Sequence, residues 1–100
     1  MKEEFDKMTF EEKVSFLVDN LRALPESLAD EGIDILVQAG ETEYAVVLAR
    51  DKGKIDKAIS VLVQAGDYLW AALIAKNAGL ASRSQDLYRD GLQYYIEMEM

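Results

Sequence analysis

The chain has 100 residues, half of them hydrophobic, a single proline and a formal net charge of −8. That length suits one domain burying roughly two-thirds of its unfolded surface, and the apolar content speaks against disorder. Neither cysteine nor histidine is present, which excludes disulfides and thiolate metal sites and removes the commonest catalytic acid–base and zinc ligand.

The first residues, MKEEFDKM, are acidic and do not read as a signal peptide. Thr9-Phe10-Glu11-Glu12 is a capping-box pattern that predicts a helix starting at Phe10. Phe10, Val14, Leu17, Leu21 and Leu24 then share one face. That helix is predicted to stop near Leu24, because Pro25 disfavours a helical residue before it and suits the first turn of a new helix. The second helix is predicted from Pro25 or Glu26 to Ala39, and Gly32 leaves open whether it runs unbroken. Helices follow over 42–52, 55–65 and 68–78. Ser82 with Gln85 forms another capping box, opening a last helix that tolerates Gly91 and runs to about Met98. No segment alternates with period two, so no strands are predicted.

Four glycines, Gly40, Gly53, Gly66 and Gly79, fall thirteen residues apart and close four blocks: LADEGIDILVQAG, ETEYAVVLARDKG, KIDKAISVLVQAG and DYLWAALIAKNAG. A fifth block begins at Leu80, with its glycine one place early at Gly91. The fifth position of each block is small (Gly32, Ala45, Ala58, Ala71, Ser84) and the eighth is branched aliphatic (Ile35, Leu48, Val61, Ile74, Leu87). Positions five, eight, nine and twelve form one helical stripe, the predicted core. Alternate blocks resemble each other more than neighbours do, so the repeating unit is a helical pair of twenty-six residues. Each glycine suits the reversal after a helix, where a left-handed residue without Cβ is favoured.

Within this pattern, Gln64-Ala65-Gly66-Asp67-Tyr68-x-x-Ala71 resembles the turn between the two helices of a tetratricopeptide (TPR) repeat, and Ala39-Gly40-Glu41-Thr42-x-x-Ala45 is a weaker copy. Leu87-Tyr88-x-x-Gly91-Leu92-x-Tyr94-Tyr95 is similar to a second repeat helix leading into a capping helix. The resemblance covers about residues 28–98. The unit is shorter than the usual length of about thirty-four residues and lacks the closing proline. In that respect it looks more like the short helical repeats of clathrin heavy chain and vesicle-coat subunits. The expected fold is all-α: five or six short antiparallel helices in a TPR-like, right-handed α-hairpin stack. A single domain over 1–100 is expected, with an N-terminal capping helix (1–27), two hairpin repeats (28–79) and a C-terminal helix (80–100). The resemblance implies protein or peptide binding on a curved surface, not catalysis.

Opposite the predicted stripe lie positions three, seven and ten. In the first and third blocks these are mostly polar: Asp30, Asp34, Val37 and Asp56, Ser60, Val63. The second and fourth blocks place Glu43, Val47, Arg50 and Leu69, Leu73, Lys76 there, flanked by Tyr44 and Trp70. Helices so apolar all round need cover on both sides. Three covers are open: the Phe10–Leu24 helix folding back, a second copy of the chain, or a foreign helix or peptide. Arg50, Lys76 and Arg89 share one block position and would form a cationic ladder in a stack. By resemblance this is a candidate clamp for acidic peptide C-termini. The plainer reading is that cations near helix C-termini favour the dipole and pair with nearby acids. Arg50, Lys52, Lys54 and Lys57 are interrupted by Asp51 and Asp56 and read as a solvated turn.

No nucleophile elbow, P-loop, dinucleotide fingerprint or calcium loop is present, and no carboxylate pair is placed by the pattern in an apolar pocket. Enzyme activity, cofactors and metals are therefore not expected, and Tyr68, Tyr88, Tyr94 and Tyr95 read as core or rim aromatics. The longest apolar run, Tyr68 to Ala75, is too short to cross a bilayer. The acidic balance repels phosphate backbones. The expectation is a soluble cytoplasmic protein that binds neither nucleic acid nor membrane. Its expected role is a protein–protein interaction module, a small adaptor or scaffold. The alternative is a self-associating, homodimeric structural subunit, and a third reading is a small enzyme or ligand carrier with a pocket between helices.

Overall fold

Helices of ten residues separated by left-handed glycines set the architecture. The computed structural model describes residues 2–99, and the side chains of 2–98. The described residues form seven α-helices, rather than five or six: α1 (Lys2–Asp6), α2 (Phe10–Asp19), α3 (Ala29–Gln38), α4 (Thr42–Asp51), α5 (Ile55–Gln64), α6 (Tyr68–Asn77) and α7 (Ala81–Glu99), with a 3₁₀ turn at Glu26–Leu28. Among the described residues there is no strand. No helix there is long and apolar enough to cross a membrane.

Gly40, Gly53, Gly66 and Gly79 have φ of 78°, 72°, 79° and 81°, the left-handed region where a Cβ is strained. After α3, the Glu41 N–H donates to the Leu36 carbonyl (2.8 Å) and the Gly40 N–H to that of Val37 (3.0 Å), a Schellman closure that satisfies two end carbonyls. Gly66 and Gly79 close α5 and α6 with the same pair of bonds. The helices end at position eleven of each of the first four blocks, so position twelve there lies beyond them and drops out of the predicted stripe; Ala65 and Ala78 are exposed. Its place is taken by position six, where Ile33, Val46, Ile59 and Ala72 are fully buried. Positions five and eight are buried in all five blocks. Position nine is buried in the first four, but its fifth-block member, Tyr88, is exposed.

The chain divides after Gly53 into two compact units. In the first, the hairpin of α3 and α4 carries α2 against α3. The capping box at α2 forms as the sequence predicts: the Glu12 N–H donates to Thr9 Oγ1 (3.2 Å) and the Thr9 N–H to Glu12 Oε1 (2.9 Å). The helix nevertheless stops at Asp19, not near Leu24. Asn20 ends it before Pro25 acts, its backbone N–H (3.0 Å) and its Nδ2 (2.9 Å) both donating to the Phe16 carbonyl. The predicted helix start at Pro25 or Glu26 becomes the 3₁₀ turn, and α3 begins at Ala29. Gly32 does not break α3: a Cβ there would stand 3.0 Å from Leu17 Cδ2 and 3.2 Å from Leu48 Cδ2, so the glycine marks where α2, α3 and α4 meet. The unpredicted α1 is anchored by Phe5, fully buried and edge-on to Phe16 with ring centroids 5.8 Å apart. Lys2 bridges from α1 to Glu31 (3.1 Å), and this hydrogen bond raises the pKa of its ammonium.

In the second unit, α6 packs between α5 and α7. The Ser84 hydroxyl, buried, donates to the Ala72 carbonyl (2.8 Å). The predicted Ser82–Gln85 capping box does not open α7, because the Ser84 N–H already bonds to the Leu80 carbonyl (2.9 Å) and places Ser82 inside the first turn. Gly91 lies within α7, where a Cβ would come 2.6 Å from Tyr68 Cβ, so it is a close-packing position. Further along, Tyr95 Oη donates to the Gly66 carbonyl (3.1 Å), and Tyr94 stacks beside Tyr68 and Tyr95 at centroid distances of 5.2 and 5.5 Å. These tyrosines lock α7 onto the α5–α6 turn.

Candidate functional site

Each of the helices α4 and α6 presents part of the surface expected from the sequence. On α4, Tyr44 is 41 % exposed and Val47 half-buried. The pair lines two adjoining clefts. One, of about 530 Å³, is walled by residues 18–23 at the C-terminal end of α2. The other, of about 430 Å³, is walled by residues 40–43 at the start of α4. The first exists because α2 stops early: the turn closed by the Ala23 N–H to the Asn20 carbonyl (2.9 Å) swings Leu21 and Arg22 beside α4. Arg50, in the last turn of α4, is exposed and lines neither cleft.

On α6, Leu69 and Leu73 lie one turn apart and are 57 % and 48 % exposed. The Phe10–Leu24 segment, as a cover, borders Tyr44 and Val47. Trp70 is half-buried, and its N–H caps onto Asp67 Oδ1 (3.2 Å), which fixes the first turn of α6. Lys76 lines a smaller cleft of about 220 Å³ with Ser84, Gln85 and Tyr88 of α7. Arg89 is held by Asp86 at 3.0 Å, the local pairing of a cation with a nearby acid. Of the eight residues singled out, the structure brings Tyr44 together with Val47, and sets Leu69 beside Leu73 on one helix face.

Sequence reasoning read Tyr88 as a core or rim aromatic and gave Leu92 and Ile96 no surface role. They recur every four residues along α7 and are exposed, an apolar row flanking the face that packs on α6. The signal was present in the i, i+4 spacing. Sequence reasoning also missed the wall formed by residues 18–23, because the apolar face through Leu21 and Leu24 reads as a continuation of α2.

No protein-family model matches this chain, and no curated protein or solved structure is significantly similar to it. The function is therefore argued from the surface itself. Among the described residues, no group of three or more Asp or Glu side chains is placed to hold a metal ion. What these surfaces offer is apolar area beside exposed charge.

Proposed function

We propose that the chain is a protein–protein interaction module, a small adaptor or scaffold of the TPR-like helical-hairpin class. Its contact residues lie on two separate faces, Tyr44 and Val47 on α4 in the first unit and Leu69, Trp70 and Leu73 on α6 in the second, each taking a partner helix or peptide, with Arg50, Lys76 and Arg89 as flanking cations. The observation that carries this reading is the exposure of Leu69 and Leu73 on the side of α6 away from its buried Ala71, Ile74 and Ala75. Burying one such side chain is worth roughly 1.5–3 kcal/mol. Apolar rows of this kind on otherwise polar proteins mark association surfaces. The right-handed α-hairpin stack belongs to the same proposal and is supported by the twenty-six-residue period and the Gly-Asp-Tyr turn.

A homodimer is the second reading, favoured by charge. Residues from Lys54 on carry six acids against five bases, so two copies of this apolar face meet with little repulsion. Gel filtration with light scattering, repeated on Leu73→Asp, tests both. The variant should keep its helical circular dichroism, since Leu73 is exposed. A wild-type dimer that becomes monomeric supports the homodimer. A monomeric wild type that loses a captured partner on substitution supports the adaptor. Unfolding of the variant would show that the face is core and would remove both.

A further inference from the structure

The cleft beside Tyr44 has a composition that selects one kind of occupant. Its floor is apolar, made by Val18, Leu21, Tyr44 and Val47. Its charged rim, taking both clefts that share Tyr44 and Val47, is Asp19, Glu41 and Glu43 against Arg22. The surrounding unit repeats that imbalance: residues up to Gly53 carry thirteen acids against six bases. One wall is the C-terminal end of α2, where the helix dipole is negative. The other is the first turn of α4, whose positive end is already answered by Glu43. The Tyr44 ring, 41 % exposed, offers a face to a cation.

We propose that this cleft docks a cationic amphipathic segment of a partner protein. The segment's apolar anchor seats between Leu21, Tyr44 and Val47, and its Lys or Arg side chains lie over Asp19, Glu41 and Glu43. This rests on the interaction-module reading and names the partner chemistry for the α4 face. The same charges turn away acidic peptide termini, nucleic acid and anionic lipid. A second copy of the chain is a poor occupant, because its one basic clustering, Arg50, Lys52, Lys54 and Lys57, is interrupted by Asp51 and Asp56.

The test is a fluorescence-anisotropy titration of the full chain with three labelled amphipathic helical peptides of one apolar pattern, their polar faces Lys, Gln or Glu. The Lys peptide should bind at least about tenfold more tightly than the Gln peptide, and the Glu peptide should not bind. Tyr44→Ala and Glu43→Lys should each weaken the Lys peptide by about tenfold or more. Glu11→Lys, an equal change of net charge at the far end of α2, should weaken it by less than about threefold. Equal affinity for the Lys and Gln peptides, an equal loss in Glu11→Lys and Glu43→Lys, or no binding of the Lys peptide overturns the proposal. Leu73→Asp separates the two claims. If that variant abolishes association while no peptide discriminates by charge, the cationic-partner inference falls and the interaction-module reading stands. If Lys-peptide binding survives Leu73→Asp and responds to Tyr44→Ala, the α4 cleft is a docking site in its own right.

Discussion

Gly40 and Gly66 sit in equivalent turns with nearly the same φ, yet they are not equally replaceable. Around Gly40 a Cβ would meet nothing within 4 Å, so Gly40→Ala is penalised by the left-handed backbone alone. The expected loss is about 1 kcal/mol. At Gly66 the same Cβ would lie 2.8 Å from the Tyr94 hydroxyl, and the Tyr94 ring must also withdraw from its contact with Tyr68. Gly66→Ala should therefore lower the urea midpoint clearly more than Gly40→Ala, and Gly66→Ala combined with Tyr94→Ala should recover part of the difference. Gly91 poses a different contest. Alanine in a helix interior gains about 1 kcal/mol over glycine, but here its Cβ would stand 2.6 Å from Tyr68 Cβ, which is not a flexible tip. Overpacking costs about 1–3 kcal/mol, so Gly91→Ala should be net destabilising in urea unfolding despite its better propensity. A stabilised Gly91→Ala would mean that α7 does not approach α6 so closely.

Asp67 and Lys2 show how single side chains secure whole helices. Asp67 accepts the Trp70 N–H at the start of α6, whereas Glu41 and Lys54 at the equivalent places before α4 and α5 make no such side-chain cap. Asp67→Ala should cost about 0.5–2 kcal/mol in urea unfolding. Lys2 works at the other end of the chain, where its hydrogen bond to Glu31 raises its pKa. A raised lysine pKa means that the folded form holds the proton more firmly. The contribution is therefore complete below the unfolded lysine value of about 10.4 and is lost as pH rises through the folded value. The small stability difference between wild type and Lys2→Gln should thus hold at neutral pH and vanish on the alkaline side, measured as urea midpoints against pH. These two helices also mark what the sequence discloses. The glycine turns, the Thr9 capping box and the stretches of α3 to α6 were legible because local chemistry decides them. The helix α1 was not, since five residues are marginal alone and Phe5 stabilises it only through Phe16, a contact no periodicity announces. Leu69 and Leu73 were legible as an apolar face, but their exposure was not, because the same pattern suits a covered helix. The wall beside Tyr44 depended on Asn20 ending α2 early, a local hydrogen bond that cut short the apolar face running on to Leu21 and Leu24.

Charge and apolar surface pull the whole molecule in opposite directions, and this gives a test that uses no partner. At neutral pH the net charge of −8, nearly all of it on residues up to Gly53, holds copies apart at long range, while the nearly neutral remainder, with its exposed Leu69, Leu73, Leu92 and Ile96, favours contact. Lowering the pH toward the sequence pI of about 4.4 protonates carboxylates and removes the repulsion. Salt acts in the same direction, since the screening length is about 8 Å at physiological ionic strength and about 3 Å at 1 M. Self-association through the α6 face should therefore rise both with acid and with salt in static light scattering, and Leu73→Asp should suppress both increases. Docking of a cationic segment beside Tyr44 responds with the opposite sign. It depends on the charges of Asp19, Glu41 and Glu43 being unscreened, so it should weaken as salt rises. One salt titration, read by light scattering for the protein alone and by anisotropy for the Lys-faced peptide, thus distinguishes the two surfaces. Two signals that rise together would mean that the peptide binds through apolar contact alone, and parallel decline would mean that self-association is itself ionic.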